Sequence, residues 1–268
     1  SFIKCIQDIH PHIDIAVKNN ASKWQMELNA ELLPNNALRL KETGLISDMN
    51  GYNAGEWWVQ DYSSQLPVMC LSIKEGEEVL DLCAAPGGKT SQILSLGGKV
   101  HSIDISDERI VRFKENMKRL KFNPIIDKAD ILSYMTEKKW QKILLDVPCS
   151  STGTIRKNPD ILYSKNENSV DNLVILQKKL LEKSWSLLGD NGHLMYCNCS
   201  LEVEEGEMQI INFLKRHKNC QIEKISSDLI EDIEDSVSEE GWLRILPEGK
   251  KRTKIRDGFF IALLKKIP

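Results

Sequence analysis

Two apolar patterns alternate along most of the chain. Segments of six to eight residues at 78–83, 99–104, 124–129, 142–147, 192–199 and 258–265, most of them predominantly apolar, have the length and texture of strands. Between them, Ile110, Phe113, Met117 and Leu120 recur at helical spacing, as do Leu173, Leu176, Leu180 and Leu188, which predicts helices with one apolar face. Strands alternating with helices from Glu77 onward signal a parallel sheet covered by helices, so the predicted fold is a doubly wound α/β sheet. No internal repeat or low-complexity segment interrupts it, and one catalytic domain over 51–268 is expected.

Upstream the texture changes. Residues 12–17 look strand-like, 21–33 carry helical residues, and 37–40 form a short strand candidate before Gly44. This predicts a small α+β appendage over residues 1–50. It is too small to hold a core alone, so it packs on the next domain or belongs to a unit cut at residue 1. A Gly- and Asn-rich loop, 50–55, leads into Trp57 and Trp58, where the division is placed. Packing between the two units is the favoured role for both tryptophans over stacking on bases.

Composition narrows the class. A hydrophobic fraction of 41% and a charged fraction of 28% are those of a soluble globular protein. The late apolar run 259–264 is too short to cross a bilayer, and Lys4, Asp8 and His10 interrupt any leader-like run; a cytoplasmic protein with no membrane partner is expected. The first residue is Ser rather than Met, so the chain is expected to be a piece of something longer. Seven cysteines without paired spacing read as reduced thiols, and Cys197 and Cys199 are too close for a CxxC turn, so no metal is expected. The net charge of −3 draws no nucleic acid by itself. Five of the seven residues from Lys250 to Arg256 are basic, and they read equally as an RNA-facing patch or as a solvated loop balanced by the acidic stretch 228–240.

Candidate chemistry gathers at predicted strand tips. Cys83, Ala84, Ala85, Pro86, Gly87, Gly88 and Lys89 form a small-residue turn between a strand and a helix, where backbone N–H groups can approach a ligand closely. The turn is not GxGxxG, which weakens a dinucleotide reading. Asp104 ends the next strand and is placed to accept bonds from ribose hydroxyls. Asp130 ends the third, where a ligand contact and a simple loop cap both remain open. The fourth strand runs into Asp146, Pro148 and Cys149, and the fifth into Cys197 and Cys199, so cysteines meet at neighbouring strand ends. Arg156 and Lys157 open a charged stretch that reads as a phosphate contact or an exposed loop.

The strings DLCAAPGGKT, DVPCSSTGTIRKNPDI, YCNCS and DGFF, in this order, resemble the Sun/RsmB/NSUN family of RNA 5-methylcytosine methyltransferases, especially its bacterial ribosomal-RNA member. The resemblance covers nearly the whole chain and implies a Rossmann-like S-adenosylmethionine-dependent methyltransferase sheet acting on RNA, with ribosomal RNA the substrate class and a monomer the expected state. It also implies that the turn 83–89, Asp104, Asp130 and Asp146 hold S-adenosyl-L-methionine, that Cys199 attacks C6 of the cytosine, and that Cys149 assists product release. A thiolate suits that addition because C5 is a poor nucleophile until something adds to C6, and Asp146 and Cys149 are placed for the acid and base steps. Two residues depart from the family pattern, Val147 where Ala is usual and Asn198 where Thr is usual. Cys197 shares a strand face with Cys199 and competes for the nucleophile's role; Cys199 matches the motif and lies nearer the strand's carboxyl end. The family's longer bacterial members carry a helical RNA-binding domain ahead of this region, which this chain is expected to lack.

Other classes fit less well. An amino-group methyltransferase would show a D/N-P-P-Y/F/W strand tip in place of Asp146-Val147-Pro148-Cys149. A DNA-type enzyme would leave Cys199 without a role. A non-catalytic RNA-binding or assembly module would need neither cysteine.

Overall fold

The computed structural model describes residues 12–42, 44–164, 167–226, 236–247 and 256–268. Most of the basic run 250–256 and much of the acidic stretch 228–240 lie outside the described residues.

The N-terminal unit is a four-stranded antiparallel sheet in the order β2-β3-β1-β4, built from β1 (Ile13–Val17), β2 (Ala30–Leu32), β3 (Leu38–Leu40) and β4 (Trp57–Val59). The helix expected over 21–33 is shorter: α1 (Ala21–Glu27) stops early, Asn29 adopts φ 47°, and the chain turns back into β2. Asn is among the few residues that accept this left-handed conformation readily, which makes it a helix terminator here. Ile15, Trp24, Leu38, Leu40 and Trp57 form the small core. Because β4 pairs with β1, this sheet extends past residue 50 to Val59.

Buried contacts seat it on the larger unit. Asp14 accepts two bonds from Arg39, at 2.7 and 2.9 Å, and a third from the Tyr62 amide at 3.1 Å. Trp58 packs with Ala16, Leu120 and Phe122, and its indole donates to Gln60 Oε1 at 2.7 Å. Both tryptophans are thus packing residues, Trp57 within the small sheet and Trp58 across the junction.

The large sheet runs β10-β12-β9-β8-β5-β6-β7, with β11 on the same edge of β12 as β10. Its strands are β5 (Glu78–Leu82), β6 (Lys99–Asp104), β7 (Ile125–Lys128), β8 (Trp140–Asp146), β9 (Leu188–Asn198), β10 (Cys220–Ile222), β11 (Leu243–Ile245) and β12 (Phe259–Lys266). The five from β5 to β9 are parallel, and β12 returns antiparallel to β9. Covering helices are α2 (Tyr62–Leu71), α3 (Gly88–Ser95), α4 (Asp107–Arg119), α5 (Glu167–Leu187) and α6 (Glu207–Arg216). Leu188, expected on the helical face with Leu180, instead opens β9. Alternate strand residues feed two cores: Leu80, Ile143, Leu145 and Tyr196 face one, and Val79, Leu144 and Met195 the other. Both faces of the central strands β5 and β8 are covered, so these read as largely apolar runs, whereas β7 at the sheet edge has no fully buried residue. From β5 the chain builds outward to β6 and β7 and then returns to β8 on the other side of β5. That reversal opens a crevice at the carboxyl ends of β5 and β8, where open α/β sheets bind ligands.

Candidate active site

The turn after β5 rises into this crevice. Cys83 adopts φ 61° and Gly87, which caps α3, adopts φ 100°. A Cβ at Gly87 would lie 2.7 Å from Met117 Cε and 2.9 Å from Phe113 Cδ2, so both conformation and packing demand glycine. Asp104, at the tip of β6, is 2% exposed; its carboxylate accepts the Ala85 amide and the Ser106 amide, each at 3.0 Å, which fixes it against the turn. Asp130 is exposed, and its Oδ1 accepts the Leu132 amide at 2.9 Å, which is a loop-capping contact. Beneath the turn, Asp81 is buried, accepts from the Thr90 hydroxyl, and is pushed up to about 7, chiefly by burial.

Lys89 stands apart from its neighbours in the turn. Its buried side chain crosses to β8, where Nζ donates to Asp146 Oδ2 at 2.7 Å and to Ser64 Oγ at 3.0 Å and lies 5.2 Å from the centre of the Phe259 ring. Burial alone would depress this ammonium, but the adjacent Asp146 carboxylate outweighs it and raises it.

The parallel register pairs Asp146 with Cys197, and a few residues further along each chain two sulfurs meet: Cys149 Sγ is 3.5 Å from Cys199 Sγ. Gly153 makes this possible, since its amide donates to the Cys199 carbonyl at 2.9 Å and its carbonyl accepts from the Gly258 amide at 2.9 Å. The two thiols are electrostatically unlike. The hydrogen bond from Cys149 lowers Cys199; burial and the Asp146 charge oppose this, while the Ser151 hydroxyl and Lys89 assist. Cys149 is raised well above the ordinary thiol range by the same hydrogen bond, by burial and by the charges of Cys199 and Glu205. Cys197 is fully buried, lies 3.6 Å from Asp146 Oδ1, and is pushed up by burial and by that carboxylate. Of the two competing cysteines, only Cys199 is drawn toward its thiolate form, and it is the one that lines a cavity of about 270 Å³ with Asp61, Ser64, Lys89, Asp146, Thr154, Asp257 and Phe259.

In the stretch opened by Arg156 and Lys157, these two side chains turn inward, while Asn158, Pro159 and Asp160 are exposed. Arg156 is buried and pairs with Asp257 at 3.0 Å, and Lys157 bridges Asp61 and Asp257. Burial, reinforced by Asp61, raises Asp257 to about 6. Burial would raise Asp61 as well, but Lys157 holds it below the usual carboxylate range. Sequence patterning missed Asp61, Asp257 and Glu205. Asp257 lies in the DGFF string that carries the resemblance, whereas nothing in the patterning singles out Asp61, or Glu205 from the glutamates around it. Among the described residues no group of three or more His, Cys, Asp or Glu is placed to hold a metal ion, and no helix is long and apolar enough to cross a membrane.

The family described as 16S rRNA methyltransferase RsmB/F matches residues 68–265. The chain belongs to the RsmB/F family. The turn 83–89, Asp104, Asp130, Asp146 and the cysteines at 149, 197 and 199 all fall within the RsmB/F match. Ribosomal RNA small subunit methyltransferase B of Yersinia enterocolitica is 38% identical over 205 residues, covering 73% of this chain and 48% of that relative. The chain therefore spans about half the length of the curated relatives it matches. Among solved structures, PH0851 superposes with a TM-score of 0.88 at 30% identity, covering 99% of this chain and 62% of that one. NSun6 from Pyrococcus horikoshii with SFG superposes with a TM-score of 0.73 at 28% identity, covering 84% of this chain and 57% of its own. The Rossmann-like sheet and the small antiparallel sheet before it are thus the RsmB/F architecture.

Proposed function

We propose that this chain transfers a methyl group from S-adenosylmethionine to C5 of a cytosine in RNA, with ribosomal RNA as the substrate class, through a covalent bond between Cys199 and C6. The observation that carries the reading is the 3.5 Å approach of Cys149 Sγ to Cys199 Sγ, with Cys199 lining a cavity of about 270 Å³ and Cys197 sealed away in the core. The name of the Yersinia relative supports ribosomal RNA.

S-adenosylmethionine supplies a methyl group on a sulfonium, and its remaining polar features include ribose hydroxyls, an adenine amine and an ammonium. The residues present fit such a set, because Asp104, Asp130 and Asp146 offer acceptors around a turn whose helix start leaves amides free for a carboxylate. Asp104 would hold the ribose, Asp130 the adenine side, and the turn with Asp146 the methionine side.

The protein's own groups then divide the work on the base. Cys199, held toward its thiolate form, adds to C6 and pushes an electron pair toward C5, while Asp146 and Lys89 polarise the ring from the same cavity. After C5 has been methylated, its proton must leave before the C6–S bond can break. Cys149 is held as a thiol first by its bond to Cys199. Once Cys199 is a thioether that bond is gone, though burial and Glu205 still favour the thiol; Cys149 gives its thiol proton to solvent in the cavity and, as the thiolate, takes the C5 proton. Loss of the proton returns electrons to the ring and expels the Cys199 thiolate.

Labelled methyl transfer to total RNA, with mapping of 5-methylcytosine, tests class and target together. Cys199→Ala should abolish transfer while keeping cofactor affinity, and Cys197→Ala should stay active. Cys149→Ala should accumulate a protein–RNA adduct that survives denaturing electrophoresis and disappears when Cys199→Ala is added. A Cys149→Ala protein that turns over normally, or an adduct that persists without Cys199, would overturn the two-cysteine assignment.

A further inference from the structure

Four glutamates stand at 202, 204, 205 and 207, and Glu205 alone among them is fully buried. It lies in the turn between β9 and α6. A Cβ on the next residue, Gly206, would come 2.2 Å from Arg244 Nη2 and 2.9 Å from Phe260 Cγ, so the turn is pressed hard against the sheet.

Glu205 uses both its side chain and its backbone to grip the two cysteine-bearing strand tips. Its carboxylate accepts the Ser150 amide at 3.0 and 3.3 Å, the Ser150 hydroxyl, and Gln177 Nε2 at 2.8 Å. Gln177 also donates to the Pro148 carbonyl at 2.9 Å, so the residues on both sides of Cys149 are braced. The Glu205 carbonyl accepts from the Tyr196 hydroxyl at 2.7 Å and from Asn198 Nδ2 at 2.9 Å, and Asn198 Oδ1 accepts the Ser200 amide at 3.0 Å. The residues on both sides of Cys199 are thereby held too. Ser150 Oγ and Ser200 Oγ close the arrangement at 3.0 Å.

We propose that Glu205 is a positioning residue that holds Cys149 and Cys199 at reacting distance, an inference that rests on the two-cysteine reading above. A carboxylate suits this role because three donors from two elements converge on it, and its two oxygens can accept all of them. An amide presents a single acceptor oxygen and would turn its NH₂ toward one of those donors. Among the described residues no lysine or arginine ion-pairs with Glu205, so hydrogen bonds alone meet its charge, and charge-assisted bonds of this kind are the strong ones. A shift of about 1 Å between reacting groups costs on the order of a hundredfold in rate.

The test is Glu205→Gln, with Glu205→Asp as the conservative variant that keeps the carboxylate. Turnover on RNA, cofactor affinity, melting temperature and the pH profile of Cys199 alkylation by iodoacetamide are measured on each folded protein. Glu205→Gln should lower kcat by roughly tenfold to a hundredfold, leave KM for RNA and cofactor affinity within about twofold, and move Cys199 alkylation to higher pH because the Cys149 bond is lost. Glu205→Asp should recover part of both losses. Wild-type turnover and an unmoved alkylation profile in Glu205→Gln would overturn the proposal. So would a rate loss that only tracks the unfolded fraction while the alkylation profile stays in place. If the wild-type protein fails to methylate RNA, or Cys199→Ala remains active, the underlying reading fails instead, and the alkylation profile still decides what Glu205 does to the pair.

Discussion

Gly153→Ala is a sharp test of how the catalytic loop is seated. A Cβ at residue 153 would lie 2.3 Å from the Gly258 carbonyl oxygen and 2.7 Å from the Cys199 carbonyl oxygen, against an ordinary contact of at least 3.4 Å. Both neighbours are backbone atoms, and Gly153 hydrogen-bonds to both residues, so no flexible side chain can swing aside. The loop must retreat by about 1 Å. Overpacking of this kind costs roughly 1–3 kcal/mol, which a domain with a typical stability of about 5–15 kcal/mol survives folded. The melting temperature should fall by roughly 2–12 °C. Catalysis should suffer far more, because the displacement is applied at the Cys199 backbone and through the loop that carries Cys149; a loss of about a hundredfold in kcat is expected. Steady-state methylation of RNA at saturating cofactor, beside a melting curve, reads both quantities. Gly44→Ala, which meets nothing within 4 Å, should match the wild type in both. A Gly153→Ala protein with kcat within about twofold of wild type would refute the reasoning, since the close approach would then not set the cysteine geometry.

Other expectations concern the cofactor turn, a buried acid and the junction. Asp104→Ala should weaken S-adenosylmethionine binding tenfold to a hundredfold through loss of about 1.5–3 kcal/mol of charge-assisted bonding, and unchanged affinity by calorimetry would remove Asp104 from the site. Asp81 is raised from 3.8 to about 7 in the fold, so its stabilising contribution is complete below pH about 4 and is lost as pH climbs through 7. Asp81→Asn should flatten that dependence, which amounts to several kcal/mol at most, and denaturation midpoints from pH 5 to 8 that fall in parallel for both proteins would contradict it. Asp14→Ala removes the acceptor of two Arg39 bonds and of the Tyr62 amide, and should destabilise the protein by about 3–5 kcal/mol in urea titrations.

What the sequence determined by itself was whatever is encoded locally. The central strands of the large sheet are legible because a buried strand writes its burial into a short apolar run, and the turn 83–89 because a strand-to-helix corner needs small residues and a glycine at φ 100°. Asp104, Asp146, Cys149 and Cys199 could be placed at strand tips for the same reason. Local signals also misled where one residue overrode a pattern: Asn29 ends the run that promised a helix to residue 33, and Leu188 continues a helical spacing into a strand. Tertiary structure alone decided which charges face which. Lys157 meets partners 96 and 100 residues away, Lys89 leaves its own turn for a carboxylate 57 residues on, and Glu205 braces cysteines carried by two different strands. Between Cys197 and Cys199, strand alternation makes the two equivalent, and they differ only in what the fold sets beside them: core and Asp146 for one, Cys149 and an open cavity for the other. Periodicity records that a side chain turns inward; the partner it meets there, and hence its charge and reactivity, is fixed only when distant segments close around it.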